Sequence, residues 1–239
     1  MADDWLARLP PVQGCLFCHT EGAVSVEPQR APRVRADRSL AIKCSYCGAV
    51  AQLDAAPDRP ADWRIRYTKV NGAARYYYVA RHLGGGTWLD REDALRISTQ
   101  GYVQRQRVRQ ASEGDLSWLS PVVLDPLPPF IVPGETIFLE LRAVTLTRLA
   151  PRTWIFRAGQ DELLDSGKLY VTNRKLHLLG QRRDWSVSWD DALDAGYEAD
   201  VWHLSVAGDE RLRTLSAQRA SNEIDPQLIT AIFDLLRAS

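Results

Sequence analysis

The sequence predicts an α+β protein that is mostly β, with three modules in series. Three observations support this fold class. Two Cys-x-x-Cys pairs open the chain, short runs of alternating apolar and polar residues follow, and one amphipathic stretch closes it. Alternation with a period of two is typical of strands, whereas apolar residues three and four apart indicate a helix. The 239 residues, of which 45% are hydrophobic and 25% charged, have room for two or three small folded domains.

The only four cysteines of the chain form two similar pairs. Cys15-Leu-Phe-Cys18 and Cys44-Ser-Tyr-Cys47 both place an aromatic residue before the second cysteine, and Gly-Ala-Val follows each pair within a few residues. Two such pairs supply four thiolates, which is the donor set of tetrahedral structural zinc. We therefore predict that Cys15, Cys18, Cys44 and Cys47 bind one structural Zn²⁺ in a zinc ribbon over residues 1–60.

Three other uses of these cysteines remain open. Cys15 to His19 spells the haem c attachment pattern, but no basic stretch and apolar run precede it, and the chain has no methionine beyond Met1 as an axial ligand. Two disulfides would require an oxidising compartment. Iron in a rubredoxin-like site uses the same four thiolates as zinc. His19 could replace one ligand, but with four cysteines available we expect it to be a neighbour of the site.

The loop between the two cysteine pairs is rich in arginine and proline. A loop of this composition either is a solvated surface or contacts phosphate or an acidic partner. Its four arginines are Arg30, Arg33, Arg35 and Arg38.

Residues 61–118 are predicted to form a small basic α+β module, since positions 61 to 115 hold ten Lys/Arg against six Asp/Glu. Asn71-Gly72 lies between two alternating runs and predicts a β-hairpin with a two-residue turn. One face of this hairpin is expected to be core and collects Trp63, Ile65, Tyr67, Tyr76 and Tyr78. The other face carries Arg64, Arg66, Arg75 and Tyr77.

A helix is predicted to start at Asp90, with Asp93 three residues later and Leu95 as an apolar anchor. The Tyr102–Arg109 run then alternates and is predicted to be a strand. Its polar face would add Arg105, Arg107 and Arg109 to the basic surface. This surface is the candidate site for nucleic acid or for an acidic protein partner.

Five prolines between Pro121 and Pro133 indicate an extended connection over residues 119–134, apolar enough to lie against a neighbouring domain. Residues 135–239 then read as short strands followed by a helix with Asn222 as its cap and Pro226 in its first turn. The predicted strands are 136–146, 153–157, 168–171, 175–179, 185–189, 201–206 and 211–216. This order favours a small bent sheet or barrel sealed by a helix.

The run GKLYVTNRKLHLLG, from Gly167 to Gly180, resembles the central hairpin of GRAM and bacterial pleckstrin-homology-like domains. Pro133-Gly-Glu135 is similar to the start of those domains, and Asp184–Trp189 to the segment after the hairpin. The resemblance covers about residues 133–238 and implies a bent sheet capped by a helix. Lipid-binding members hold inositol phosphates with clustered Lys/Arg, whereas here acids that repel phosphate follow the arginines. The residues concerned are Arg148, Arg152 and Arg157, then Asp161, Glu162 and Asp165.

No pattern of catalytic residues stands out in the sequence. Its four histidines, His19, His82, His177 and His203, lie in separate segments, and neither Gly-x-Ser-x-Gly nor His-Glu-x-x-His occurs. We therefore expect a non-enzymatic, cytoplasmic adaptor that binds protein partners and has no small-molecule substrate. Nucleic-acid binding through the basic surface and membrane attachment through the C-terminal module are the alternative hypotheses.

Overall fold

The computed structural model describes residues 4–28, 39–71, 76–150, 160–198, 201–209, 212–217 and 226–238. The chain divides into two compact units, Met1–Gln106 and Arg107–Ser239. The described parts hold twelve strands, five α-helices and one short 3-10 turn, so the predicted α+β, mostly β class is confirmed.

The first unit is built on a five-stranded antiparallel sheet in the order β1-β2-β3-β4-β5. Its strands are β1 (Val24–Pro28), β2 (Ser39–Cys44), β3 (Val50–Ala56), β4 (Arg59–Lys69) and β5 (Leu89–Asp90). Its helices are α1 (Asp4–Ala7), α2 (Pro10–Gln13), α3 (Tyr77–Leu83) and α4 (Arg91–Ser112), the last of which runs on into the second unit. The boundary predicted at residue 60 falls inside β4, so the first two predicted modules share one sheet.

The core of the first unit lies on one face of β4. Trp63, Ile65 and Tyr67 are buried there, while Arg64 between them is exposed, as expected when successive side chains of a strand point to opposite faces. Tyr76 and Tyr78 join the same core. The predicted aromatic core is therefore confirmed, although the last two residues reach it in a different way.

The hairpin predicted at Asn71-Gly72 is wrong. Gly72 to Arg75 lie outside the described residues, but Tyr77 and Tyr78 of the predicted return strand belong to α3 and do not pair with β4. β4 already has β3 on one side and β5 on the other. Helical spacing places Tyr76, Val79 and Leu83 in the core, so tertiary context overrides the strand preference of consecutive tyrosines.

The strand predicted at Tyr102–Arg109 is also wrong, because this run lies within α4. The helix start is confirmed, since Asp90 Oδ1 accepts the backbone N–H of Asp93 at 2.9 Å. Buried positions along α4 recur every three or four residues, as at Ser98, Gly101 and Gln104. Gln and Arg are good helix formers, and their alternation here does not mark a strand.

The second unit is built on a seven-stranded antiparallel sheet in the order β10-β11-β12-β6-β7-β8-β9. Its strands are β6 (Ile137–Arg148), β7 (Glu162–Thr172), β8 (Lys175–Gly180), β9 (Trp185–Ser188), β10 (Ala192–Glu198), β11 (Val201–Val206) and β12 (Arg213–Ala217). β6 to β9 form one meander and β10 to β12 another, and the pairing of β12 with β6 joins them. The sequence predicts every one of these strands except β10, where Gly196 suggests a turn. The strand predicted at 153–157 lies outside the described residues.

A bulge in β6 allows one strand to serve both meanders. Leu139 and Leu141 face the core before the bulge, and Val144 and Leu146 face it afterwards, so the buried positions change parity. Ala143 at the bulge has a φ of 52°, a left-handed conformation that is uncommon for residues other than glycine. An extra residue of this kind bends a strand.

Helix α5 (Pro226–Ala238) packs on the core of the second unit. The predicted C-terminal helix is confirmed over Pro226–Ala238, and its predicted cap at Asn222 lies outside the described residues. The apolar stripe is Leu228, Ile229, Ile232, Phe233 and Leu236. In the described part of the chain, no helix is both long and apolar enough to cross a membrane.

The proline-rich connection packs against the second unit. Val122 donates its backbone N–H to the carbonyl of Ile137 at 2.8 Å. Phe130 packs with Ile131, Ile137 and Tyr170 in a separate small cluster. The expectation that this segment lies against a domain is confirmed.

We expect Gly167→Ala to reduce the free energy of unfolding of the second unit by about 1–3 kcal/mol. A Cβ at this position would lie 1.9 Å from the carbonyl oxygen of Leu179, and a backbone atom cannot move away cheaply. Gly196→Ala in β10 is the matched control, since nothing lies within 4 Å of its added Cβ. Denaturant unfolding of both variants checks this, and equal stability would contradict the close packing.

The Asp165 carboxylate is enclosed by backbone donors. Arg183 donates to Oδ2 at 2.9 Å, and the backbone N–H groups of Ser166, Gln181 and Arg182 complete the ring. The donation from Arg183, with the others, holds the pKa of Asp165 below its ordinary value. A carboxylate with a depressed pKa stabilises the fold above its unfolded pKa of about 3.9, and this stability is lost as the pH falls through the folded pKa.

Asp165→Asn is therefore expected to destabilise the second unit at neutral pH, because an amide presents one acceptor where four donors converge. The difference from wild type should shrink as the pH is lowered below about 4. Urea unfolding between neutral and acid pH measures it. Asp184→Asn, which changes an exposed carboxylate of the same connection, is the control. A difference that stays constant with pH would contradict the assigned role.

Candidate metal centre

The four cysteines predicted as ligands come together in the first unit. Their sulfurs all lie within 4.8 Å of one another. The Sγ atoms of Cys15 and Cys47 are 3.8 Å apart, and those of Cys18 and Cys44 are 3.7 Å apart. Tetrahedral coordination with metal–sulfur bonds of about 2.3 Å requires sulfurs about 3.8 Å apart. A disulfide requires about 2.05 Å, so the disulfide alternative is wrong.

Two similar backbone loops hold the sulfurs, and each spans one Cys-x-x-Cys pair. In the first knuckle, residues 15–20, the N–H of His19 donates to the carbonyl of Cys15 and the N–H of Cys15 to that of Thr20. The second knuckle, residues 44–49, repeats this pattern between Gly48 and Cys44 and between Cys44 and Ala49. The repeated hydrogen bonds explain why the two pairs present their sulfurs in the same way.

The residue after the second cysteine of each knuckle is left-handed. Gly48 has a φ of 72°, and His19 in the equivalent position has a φ of 61°. Glycine adopts this conformation readily, whereas a residue with a Cβ does so at a cost of about 1–2 kcal/mol. His19 must therefore be held by contacts outside the knuckle.

Helix α4 supplies those contacts. His19 Nε2 donates to the carbonyl of Ser98 at 2.9 Å, and its ring packs on Tyr102 with centroids 5.1 Å apart. Ser98 in turn donates its hydroxyl to the carbonyl of Leu16 at 2.8 Å. The prediction that His19 is a neighbour and not a ligand agrees with this arrangement.

The thiols of the cluster differ in their tendency to ionise. Burial raises the pKa of Cys15 well above its usual range and that of Cys47 to about 12. Burial alone would also raise the pKa of Cys18, but hydrogen bonds from the hydroxyl and the backbone N–H of Thr20 lower it. Four buried thiolates are unfavourable together unless a cation neutralises them.

Backbone donors and aromatic rings surround the sulfurs. The N–H groups of Phe17 and Cys18 point to the sulfur of Cys15, and that of Ala49 to the sulfur of Cys47. Phe17 is fully buried, and its ring centroid lies 6.0 Å from that of Tyr67. Hydrogen bonds to the sulfurs and a shell that excludes water both favour a stably bound metal. Within the described ranges, the four cysteines are the one group of His, Cys, Asp and Glu side chains placed to hold a metal ion.

The basic surface predicted for nucleic acid or an acidic partner is only partly described. The loop arginines Arg30, Arg33, Arg35 and Arg38, together with Arg75 and the side chain of Tyr77, lie outside the described residues. The two arginines of this surface that lie on β4, Arg64 and Arg66, make close contacts. Arg64 pairs with Asp54 at 2.7 Å, and Arg66 donates to the side-chain oxygen of Gln52. Both guanidinium groups also stack on Trp88.

The three arginines of the second run do not share one face. They lie on a helix, where residues four apart share a side and residues two apart do not. Arg105 stacks on Tyr76, Arg107 stacks on Trp118, and Arg109 pairs with Glu113 at 2.8 Å. The predicted continuous surface of six arginines is therefore wrong, because it required two strands that the chain does not form.

Of the three arginines that the resemblance places near a phosphate site, Arg148 is described, and it lies close to two carboxylates. Arg148 lies 3.3 Å from Glu162 and 3.7 Å from Asp209. Arg152 and Arg157 lie outside the described residues. Asp161 Oδ1 accepts the backbone N–H of Ala150 at 2.9 Å.

One polar cluster was not predicted from the sequence. Glu135 Oε1 accepts hydrogen bonds from Thr172 Oγ1 at 2.6 Å and from His177 Nε2 at 2.8 Å. Burial alone would raise the pKa of Glu135, but these bonds and the N–H of Val132 lower it. Pro133-Gly-Glu135 and the Thr172-Asn173 turn are far apart in the sequence. The family resemblance, which includes both segments, is the one sequence signal that connects them. Thr172 is fully buried and His177 is 6% exposed.

No protein-family model matches this chain, and a search of curated proteins finds no match either.

We expect His19→Ala to be less stable than His19→Gly by about 1 kcal/mol. Both variants lose the hydrogen bond to Ser98, but only alanine retains a Cβ in the left-handed conformation. The unfolding free energies of the two variants, measured with the same bound metal, give the difference directly. Equal values would show that residue 19 is not held left-handed.

Proposed function

We propose that this protein is a non-enzymatic adaptor that binds protein partners through a structural zinc ribbon and a pleckstrin-homology-like module. The observation that carries the proposal is the closed donor set of the first unit. Cys15, Cys18, Cys44 and Cys47 supply four sulfurs, the full shell of a structural site, and leave no position for a substrate.

Zinc is the metal that best suits this site. Four thiolates with tetrahedral spacing are typical of structural zinc, which needs no redox partner and no particular electronic geometry. The two knuckles also tie the metal to the fold. Cys44 ends β2 and Leu16 contacts α4 through Ser98, so a bound ion would connect the sheet with the helix. Iron remains the competing ion because it accepts the same donors.

The second unit supports the pleckstrin-homology-like assignment in two ways. A seven-stranded antiparallel sheet is followed by one helix whose apolar stripe packs on the sheet core. The segments that carry the family resemblance also contact one another. Asn173 Oδ1 accepts the N–H of Thr136 at 2.8 Å, and Thr172 donates its hydroxyl to Glu135. These contacts give a physical reason for the Thr-Asn pair in the hairpin motif.

The buried state of the ionisable cluster in the second unit favours binding over catalysis. Glu135 and His177 are hydrogen-bonded to each other and enclosed by the proline-rich connection, whose Phe130 ring lies 5.0 Å from that of His177. A general base must reach a substrate. We assign this cluster to the packing of the connection against the sheet.

Metal analysis of the purified full chain tests the structural part of the proposal. We expect one zinc per chain, and Cys44→Ser should lose both the zinc and the amide protection of β2 to β4. Ser45→Ala in the same knuckle is the control and should keep both. A coloured protein that contains iron would show that the bound metal is iron and not zinc. Removal of the metal with protection of these strands unchanged would refute the structural role.

Crosslinking in the native cell, followed by purification of the full chain, tests the adaptor part. We expect defined protein partners that are recovered after nuclease treatment and detergent washing. Recovery of nucleic acid or lipid alone would favour the alternative hypotheses, and nucleic-acid binding would show a steep salt dependence. Turnover of a substrate, abolished by a point change in a polar cleft, would overturn the proposal.

A further inference from the structure

Four consecutive residues of β4 are left out of the sheet pairing. Arg59 is opposite Ala56 and Arg64 is opposite Asp54 on β3, so only Ala55 faces the four residues Pro60–Trp63. On the other side, β5 pairs with Arg64 and Ile65 alone. Among the described strands, none pairs with Pro60–Trp63. The pairing with β3 is irregular at this point, the first three of these residues are exposed, and Ala61 to Trp63 carry backbone N–H groups that no described strand accepts, whereas Pro60 has none.

Two adjoining hollows follow this unpaired stretch, and Ala61, Trp63 and Arg91 line both. The first hollow has a volume of about 680 Å³ and lies between Ala61–Arg64 and the start of α4. The second has a volume of about 490 Å³. Both volumes are large enough for side chains of a peptide. The buried ring of Trp63 contributes to both hollows.

The second hollow is mainly apolar. Trp5 of α1, Leu9 and Pro10 of α2 line it together with Pro60, Ala61 and Trp63, and its two charged lining residues are Arg8 and Arg91. An apolar side chain of a bound segment would be removed from water here, and such burial supplies affinity in proportion to area.

The first hollow carries an excess of uncompensated negative charge. Asp90 is used to cap α4, and Arg64 is paired with Asp54. Asp62 and Glu92 form no ion pair with any described residue, and Arg91 is the single cation on this wall that is likewise unpaired. A basic side chain of a ligand would complement these two carboxylates.

We propose that an extended segment of a partner protein binds along Pro60–Trp63 as an added strand, with an apolar side chain in the second hollow and a basic side chain beside Asp62 and Glu92. Strand addition satisfies main-chain groups that the sheet leaves open, while the hollows select side chains. The segment would lie beside β4 in the direction that β5 follows before α4 begins. This inference rests on the proposed protein-binding function and names the kind of partner.

A display library of random ten-residue peptides, selected against the full chain, tests this assignment. We expect selected sequences to combine an apolar and a basic residue. The double variant Asp62→Lys, Glu92→Lys should weaken their binding about tenfold or more. Asp58→Lys is the matched control, because Asp58 is an exposed acid of the preceding turn and lines neither hollow. Binding is measured by fluorescence anisotropy.

A second readout distinguishes a strand from other bound forms. Single N-methylation along a selected peptide should abolish binding at alternate positions, because alternate N–H groups of an added strand point to β4. Hydrogen exchange of the chain should slow at residues 60–64 when the peptide is bound. Selection of no peptides or of acidic ones, unchanged binding to the double variant, or insensitivity to N-methylation would each overturn the assignment. If the wild-type chain forms a dimer and the double variant is monomeric, the groove binds a second copy of the chain. That result would also overturn the assignment.

The same double variant separates this inference from the adaptor proposal. If crosslinking in the cell recovers the same protein partners with the double variant, the adaptor function stands and the groove assignment fails. If the wild-type chain recovers none, the adaptor function fails as well.

Discussion

Charge and polar groups that leave water must find partners inside the protein, and this requirement shapes both units. Four sulfurs lie together in the first unit, and burial opposes the ionisation of at least two of them. A bound cation would resolve the conflict. In the second unit, Asp165 meets the same requirement with a ring of backbone N–H groups, and Glu135 meets it with Thr172 and His177. In each case the polar group determines which segments must approach one another.

The partners of these groups connect parts of the chain that are far apart in sequence. Ser98 on α4 bonds both to Leu16 and to His19, so the longest helix of the first unit is fixed to the first knuckle. Thr172 and Asn173 at the end of β7 bond to the segment that precedes β6. Apolar packing provides most of the burial, but it is not directional. The hydrogen bonds select one arrangement among those that would bury similar area.

The ligand set and most strands of the second unit could be predicted because their signals are local. Cysteine spacing, alternation between turn residues and the stripe of α5 each lie within a few residues. The wrong predictions fall where the sequence pattern is local but contacts with distant parts of the chain decide the structure. Tyr77 and Tyr78 have strand propensity, yet β4 is already flanked by β3 and β5, and the segment becomes α3. Arg105 to Arg109 alternate with other residues, but Ser98 and Gln104 are buried by contacts that only the folded chain reveals.

The expected arginine face across two strands does not form for the same reason, and the unpaired stretch of β4 has no signal in the sequence either. A run of alternating residues does not show which partners its backbone will find. β5 pairs with Arg64 and Ile65 alone and α4 begins directly after it, with Asp90 as its cap, so no strand lies beside Pro60–Trp63 on that side. Functional surfaces of this kind depend on where a neighbouring element ends.

The two knuckles differ in a way that bears on the rate of metal exchange. Cys47 is the one ligand of the four that is not buried, and the neighbouring Tyr46 is 58% exposed. The first knuckle is covered and is held by α4 through His19. A competing chelator would therefore meet Cys47 first and displace the ligands of the second knuckle in sequence. The rate of metal exchange would then depend on the accessibility of a single sulfur. Two proteins with identical thiolate sets can therefore bind zinc equally tightly and release it at very different rates.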